Sequence, residues 1–421
     1  MQLKSLLLGT ATAMIVAGGA QAADLTIAEP VDYVKVCDTF GKGFFYSPGT
    51  DTCIKVGGYV KFGTSFGNTD FGVYNPIYPG SNWSNFFTEA SIQLTASSVT
   101  EYGNLTGWID YRAKTGNSGG FNSSLTEVIN SSTNSAYVDT AYIELGPLKA
   151  GRFDSLFDFG QGYTDTGSFA SDSKVDHIQL TYAVNGFGLS VSVEDQRDRG
   201  AASGLDGLYR SGAVYAQGGQ DNIPDVVGAI SYAAGIVNAK LAAAYVNDAV
   251  DRTGTGTLIN PYTYSAETGW AVGGSVELAL SQFSAGDKFQ VSASYGDNAN
   301  SYTGISGGTS VANLSSALLG STAGAVSGTS WSAFASYKHV WTPQVWSAVT
   351  GGYASFDGNG QWYGNADVTA WRGVFTTGFT PVKGLDIIAE GMYSGVDYTN
   401  LNNVQDDGGA WAANFWIKRS W

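Results

Sequence analysis

From residue 54 onward, apolar and polar side chains alternate with a period of two. Ile54, Val56, Gly58, Val60 and Phe62 interleave with Lys55, Gly57, Tyr59 and Lys61. Successive side chains of a strand point to opposite faces, so a run of this kind has one apolar and one polar face. The pattern returns at Ile92 and Leu94 against Ser91, Gln93 and Thr95, and at Leu105, Ile109 and Tyr111 against Trp108, Asp110 and Arg112. It continues through Ile178, Leu180 and Tyr182, through Leu189 to Val193, Val237 to Tyr245, Trp270 to Leu278 and Phe289 to Tyr295. The last runs cover 331–340, 344–356, 367–379, 385–397 and 409–421. With 225–233 the pattern predicts about sixteen strands, an even number that suits a transmembrane barrel with lipid outside and water inside.

The connections sharpen this reading. Short links, such as 99–102, Gly146-Pro147, Asn185-Gly186, Ala234-Gly235, 281–286, Thr342-Pro343 and 381–384, alternate with long ones at 67–84, 115–135, 154–175, 196–224, 247–267, 296–329, 357–366 and 398–408. Tight turns on one rim and extended loops on the other are the topology of an outer-membrane barrel. A β-helix would show a short fixed repeat, which is absent, and a sandwich has no reason to alternate its connections. The expected fold is therefore all-β: an antiparallel barrel over 54–421 with short periplasmic turns and long extracellular loops.

The first residues change where that barrel resides. Lys4, an apolar run from Leu6 to Val16 and Ala20-Gln21-Ala22 form a secretory leader, expected to be removed after residue 22. The run is too short for a membrane-spanning helix, and no later stretch is long enough either. The formal net charge is −15, and losing Lys4 with the leader makes the excess of acid larger. Nucleic acid is excluded as a partner, because neutralising phosphates requires a basic face. Residues 23–53 hold both cysteines, Cys37 and Cys53. In an oxidising periplasm, and with no histidine nearby, a disulfide is expected there in preference to a metal or redox site.

The stretches 29–38 and 43–60, with Pro30, Tyr33 and Cys37, then Phe44, Phe45, Tyr46, Pro48, Gly49, Thr50, Cys53 and Gly57-Gly58, resemble the start of the alphaproteobacterial porin family. Similarity also reaches Ala141 to Arg152 and the aromatic C-terminus. The resemblance implies a sixteen-stranded, trimeric general-diffusion porin in the outer membrane whose third long loop folds into the lumen. Two features depart from the family pattern: the chain ends in Trp421 where Phe is commoner, and the loop reads Leu156-Phe157-Asp158-Phe159-Gly160. Trp411, Ala413, Phe415 and Ile417 share one face of the last strand, and Phe415, Ile417 and Trp421 are the expected membrane-assembly signal.

Candidate chemistry follows by parity. If apolar faces meet lipid, Lys55, Lys61, Arg112, Lys114, Lys240, Lys288, Arg372 and Lys418 point inward with Glu89, Asp110, Glu144, Glu277 and Glu390. The third loop would present Asp154, Asp158, Asp165 and Asp172 opposite the basic wall. Such a set creates a transverse field, focused by low-dielectric walls, that selects small hydrophilic solutes and ions. Arg152 is counted with the basic wall, although strict alternation from Leu148 and Ala150 sends it to lipid; a bulge or an early strand end is needed to re-aim it.

Other functions find little support. Gly-x-Ser-x-Gly occurs at 116–120 and 304–308, but in Gly/Ser-rich loops without the strand-to-helix context of a nucleophile elbow. The two histidines, His177 and His339, have no assignable catalytic partners. Acids at Asp357 and at Asp406-Asp407 lack a full calcium pattern, so no metal and no cofactor is expected. A sugar-specific channel is the nearer alternative, with Tyr59, Trp108 and Trp416 as stacking surfaces; an adhesin or receptor role for the loops, with lipopolysaccharide as a neighbour, is the other.

Overall fold

The computed structural model describes residues 35–71, 81–121, 128–132, 135–195, 224–253, 263–304, 328–358, 367–399 and 405–421. The leader, the first part of the family-like stretch at 29–34, the serine pattern beyond Gly304 and the loop at 359–361 lie outside these residues.

Sixteen antiparallel strands close on themselves: β1 Cys53–Phe71, β2 Ser81–Thr100, β3 Gly103–Phe121, β4 Ser135–Leu145, β5 Leu148–Asp154, β6 Lys174–Val184, β7 Phe187–Glu194 and β8 Asp225–Ala234, then β9 Val237–Thr253, β10 Thr263–Ala279, β11 Lys288–Asp297, β12 Gly328–Thr342, β13 Val345–Gly358, β14 Asp367–Val382, β15 Leu385–Thr399 and β16 Gln405–Ser420. Each pairs with the next, and β16 returns to β1 from Gly408↔Phe71 to Ser420↔Tyr59. Closure leaves no long sheet edge exposed. Two short strands lie off the circuit: Val128–Ser132 pairs with the end of β3, and Phe45–Tyr46 pairs with the start of β1.

The short links sit where the sequence placed them. At Asn185-Gly186 both residues have positive φ, 50° and 83°. That conformation matches the twist of the flanking strands and favours Asn-Gly. The ladder between β3 and β4 shifts register at Asp110, leaving Asp139 as an extra residue. Such a bulge re-aims a side chain, and Asp139 turns to within 3.0 Å of Arg112.

The barrel is apolar on the outside. Val60, Phe62, Ile92, Leu94, Ile109, Ile178, Leu180, Leu241, Val349 and Phe375 are exposed, whereas Ser91, Ser192, Ser292, Ser332, Thr350 and Thr376 are buried on the opposite parity. A continuous apolar surface of this size is stable only in lipid. An aromatic band crosses half of it. Tyr245, Trp270, Tyr295, Trp331, Tyr353, Trp371, Tyr393 and Trp411 supply one exposed ring to each strand from β9 to β16. They are directly opposite in the pairs Tyr245↔Trp270, Tyr295↔Trp331, Tyr353↔Trp371 and Tyr393↔Trp411. The diagonal pairs close to 5.4, 5.2 and 5.3 Å between centroids. Amphipathic rings favour the membrane–water interface, so the band marks one boundary of the apolar zone.

At the short-turn rim, Cys37 and Cys53 form the expected disulfide, with Cα atoms 6.0 Å apart. It ties the segment before the barrel to the first residue of β1, where Phe45↔Ile54 and Tyr46↔Cys53 extend the sheet beyond the end of β16. Closing a loop with a sequence separation of 16 restricts the unfolded chain by about 3 kcal/mol in the entropic account. The constraint acts on the rim, because the barrel ladders lie on the other side of Cys53. Replacing both cysteines by serine is therefore expected to leave the heat-modifiable gel migration of the barrel intact while opening residues 35–52 to limited proteolysis.

Candidate functional site in the barrel interior

The connection between β5 and β6, residues 155–173, follows the inward-facing side chains around the barrel, nearly in strand order. Its root is closed by the Ser155 amide donating to Ser173 O at 2.9 Å. On β7, Glu194 accepts from Ser155 Oγ at 2.8 Å and from the Leu156 amide at 2.9 Å. On β9, Lys240 Nζ donates to the Asp158 carbonyl at 2.9 Å, and on β11, Gln290 Nε2 donates to the Phe159 carbonyl at 2.7 Å. Tyr163 spans two strands: its hydroxyl donates to Glu277 on β10 at 2.8 Å and its amide to Ser336 on β12 at 3.0 Å. Thr164 Oγ1 donates to Thr350 Oγ1 on β13 at 2.8 Å, and the Asp165 amide donates to Thr376 Oγ1 on β14 at 3.2 Å.

The tip is held by two side chains. Glu390 on β15 accepts from the Thr166 amide at 2.9 Å and from the Thr166 hydroxyl, and it also accepts from Thr376 Oγ1 and from Asn414 Nδ2 at 3.0 Å. On β14, Arg372 donates to the Gly167 carbonyl at 3.2 Å and to Ser394 Oγ at 2.8 Å. Hydrogen bonds to a charged partner are each worth about 1.5–3 kcal/mol, so the tip is firmly fixed.

Packing makes the close approach possible. Leu156, Phe157 and Phe159 enter a buried cluster with Val227, Ala229, Ala242, Ala244, Ala271 and Tyr302. Phe157 meets Tyr302 edge-on at 4.9 Å, and the Tyr302 hydroxyl donates to Asp225 at 2.6 Å. The wall beneath is built from small residues. A Cβ on Gly273 would stand 2.8 Å from the Phe159 ring, and one on Gly352 would collide with Ser168 Oγ.

The four loop aspartates occupy different environments. Asp154 ends β5 and is ion-paired to Lys174 at 2.6 Å. Asp158 ties the outgoing limb to the returning one, accepting from Ser171 Oγ and from the Ser173 amide at 2.7 Å. Asp165, at the tip, accepts from Trp416 Nε1 on β16 at 2.7 Å. Asp172 is exposed overall, yet desolvation of its carboxyl raises its pKa above the usual range; Asp154 pushes it further up and Lys174 opposes.

The basic wall divides. Lys61 Nζ lies over the Trp416 ring at 4.3 Å, Lys418 Nζ over the same ring at 5.3 Å, and Lys114 Nζ over Phe87 at 4.6 Å. Arg112 pairs with Asp110 at 2.8 Å and with Asp139 at 3.0 Å. Lys55 stands by Phe44 of the disulfide-tied segment, at the rim. Arg372 is buried beneath the segment and holds it.

Arg152 requires correction. No register shift interrupts its ladders: it faces Ala141 on β4 and Asp176 on β6, on the parity of Leu148 and the exposed Ile178 and Leu180. Its guanidinium lies 3.7 Å from Asp176 on the outward face, so it is not part of the inner wall. At the C-terminus, Phe415 and Ile417 face outward, and the Trp421 amide reaches Gly58 O at 3.2 Å. Glu194 escaped the sequence reading, although parity from Val191 and Val193 places it inside.

Residues 24–414 match the family model described as "Porin subfamily". The chain belongs to that family. It is 36% identical over 222 residues to the outer membrane protein y4fJ of Sinorhizobium fredii, covering 51% of this chain and 60% of that protein. It is 35% identical over 247 residues to porin Omp2b of Brucella suis, covering 56% of this chain and 63% of the relative. The matches thus span less than two thirds of either relative. Among solved structures, the outer membrane channel DcaP of Acinetobacter baumannii shares the fold, with a TM-score of 0.56 at 13% identity and coverage of 89% and 99%. Pseudomonas putida OprB follows at 0.50 and 12%, with coverage of 87% and 94%. The chain is thus a multi-pass β-barrel of the outer membrane.

Glu390 carries the attachment of the loop tip. Replacing it with Ala is expected to raise hydrogen exchange in peptides covering 163–168 by about tenfold or more, the equivalent of losing one charged hydrogen bond, while exchange in β14 and β16 changes little.

Proposed function

We propose that this porin is a water-filled channel for passive diffusion of small hydrophilic solutes and ions, narrowed by the segment 155–173. The observation that carries the reading is the meeting at Trp416. Asp165 accepts from its indole N–H, while Lys61 and Lys418 lie over its ring at 4.3 and 5.3 Å. Acid from the loop and base from β1 and β16 thus gather around one side chain. Fixed charges of opposite sign gathered in a narrow, low-dielectric passage orient water and favour small polar solutes.

The sugar-specific alternative needs open aromatic faces. Tyr59 donates its hydroxyl to Glu89 at 2.5 Å and carries Arg112 and Lys418 over its ring, at 5.9 and 5.8 Å. Trp416 is occupied as described. Two of the three candidate rings, Tyr59 and Trp416, are thus engaged by cations and are poor stacking platforms for sugars, which favours general diffusion over a row of three sugar-stacking rings. A homotrimer in contact with lipopolysaccharide is part of the same proposal. The outward ion pair of Arg152 and Asp176 supports it, since a charged pair on a lipid-facing wall is costly unless another protein surface shields it.

Reversal potentials in a salt gradient test the field. Asp165→Asn is expected to lower the cation-to-anion permeability ratio and Lys61→Met to raise it, by about twofold or more each; an unchanged ratio in both contradicts the reading. The pH dependence has a defined sign. The pKa of Asp172 is raised, so its charge is lost on acidification before that of an ordinary aspartate. The cation-to-anion permeability ratio should therefore begin to fall on mild acidification, and Asp172→Asn should remove that early part of the titration.

A further inference from the structure

On the short-turn side of the loop root, the barrel interior holds a cavity of about 440 Å³ whose lining includes Tyr142, Lys149, Phe153, Leu156, Lys174 and Lys240. Its charges are unequally compensated. Lys174 is neutralised by Asp154 at 2.6 Å, with Asp139 at 3.7 Å. Asp158, also on the wall, spends its carboxylate on Ser171 and Ser173. Lys149 makes no ion pair among the described residues. Its ammonium sits over the rings of Tyr142 and Phe153, at 3.8 and 4.1 Å. Glu144 is its cross-strand partner in register but stays outside ion-pair distance. A cation seated on aromatic faces is positioned without being neutralised, so its full charge remains available. Lys240 Nζ donates to the Asp158 carbonyl at 2.9 Å, and an ammonium has three protons to give.

Two ammonium groups without an ion pair among the described residues, beside aromatic and aliphatic surface, define the ligand chemistry. We propose that this cavity is a saturable subsite for small organic carboxylates with an apolar or aromatic body. The carboxylate is held between Lys149 and Lys240, and the body lies against Phe153 and Leu156. The inference rests on the channel reading but goes beyond it, because simple diffusion has no saturable step. It gives an acidic protein one place where anions pause.

The test is block of single-channel current by benzoate, with neutral benzamide as the isostere, in planar bilayers of full-length protein. The wild type should show concentration-dependent current interruptions with benzoate and none with benzamide. Lys149→Met should raise the half-blocking concentration by about tenfold or more, a factor that corresponds to about 1.4 kcal/mol; Lys149→Arg should recover most of the affinity. Lys240→Met is the second variant, should the first fail to fold as judged by heat-modifiable migration. Equal block by benzamide, absence of block, or affinity unaltered in both methionine variants would overturn the subsite. A wild-type protein that conducts no current in potassium chloride would instead overturn the channel reading.

Discussion

One buried carboxylate holds the interior together. Glu390 gathers the Thr166 amide and hydroxyl from the loop tip, Thr376 from β14 and Asn414 from β16. A charge taken out of water is tolerable only when its oxygens are fully engaged. Here the loop tip supplies part of that engagement, so loop and wall each complete the other. Without the tip, Glu390 would be an under-satisfied charge; without Glu390, the tip would lose its fixed point. The position of Asp165 beside Trp416, and hence the charge pattern of the proposed passage, depends on this arrangement.

The barrel makes such a contact possible by reversing the usual order of burial. Lipid takes the large apolar residues, which leaves the inner face free to be small and polar. Ser292, Ser332, Thr350, Ala242 and Ala271 form a wall low enough for a loop to lie upon. The loop then brings its own apolar anchor, Phe157 and Phe159, into the cluster around Tyr302. An inner core of this kind gains from burial as any protein core does, at roughly 25 cal/mol per Å² of apolar area. The loop is therefore held at its root by packing and by hydrogen bonds to Glu194, and at its tip by hydrogen bonds to Glu390 and Arg372.

The architecture was legible in the sequence because period-two alternation and the lengths of the connections are local signals. Lys61, Lys114 and Lys418 fall by parity on the polar face, and their ammonium groups lie over the rings of Trp416 and Phe87. Arg152 shows the limit of the method. Strict alternation pointed it outward, and charge alone argued for the interior. Its pairing with Asp176 on the outer face shows that local periodicity was the better guide. The roles of Asp158 and Arg372 were not legible. Both look like pore charges in sequence, yet one joins the two limbs of the loop and the other supports its tip from beneath. Thr350 and Thr376 carried no signal at all, because an inward threonine has the same sequence signature whether it meets water or a loop.

In the proposed channel, conduction takes place with the loop lying against the wall. The most direct measurement is single-channel conductance of a variant in which Thr164 and Thr350, whose hydroxyls are 2.8 Å apart, are replaced by cysteines and oxidised. The cross-link is expected to form readily, with the same conductance before and after reduction. A channel closed by the cross-link, or a conductance that changes severalfold on reduction, would contradict it.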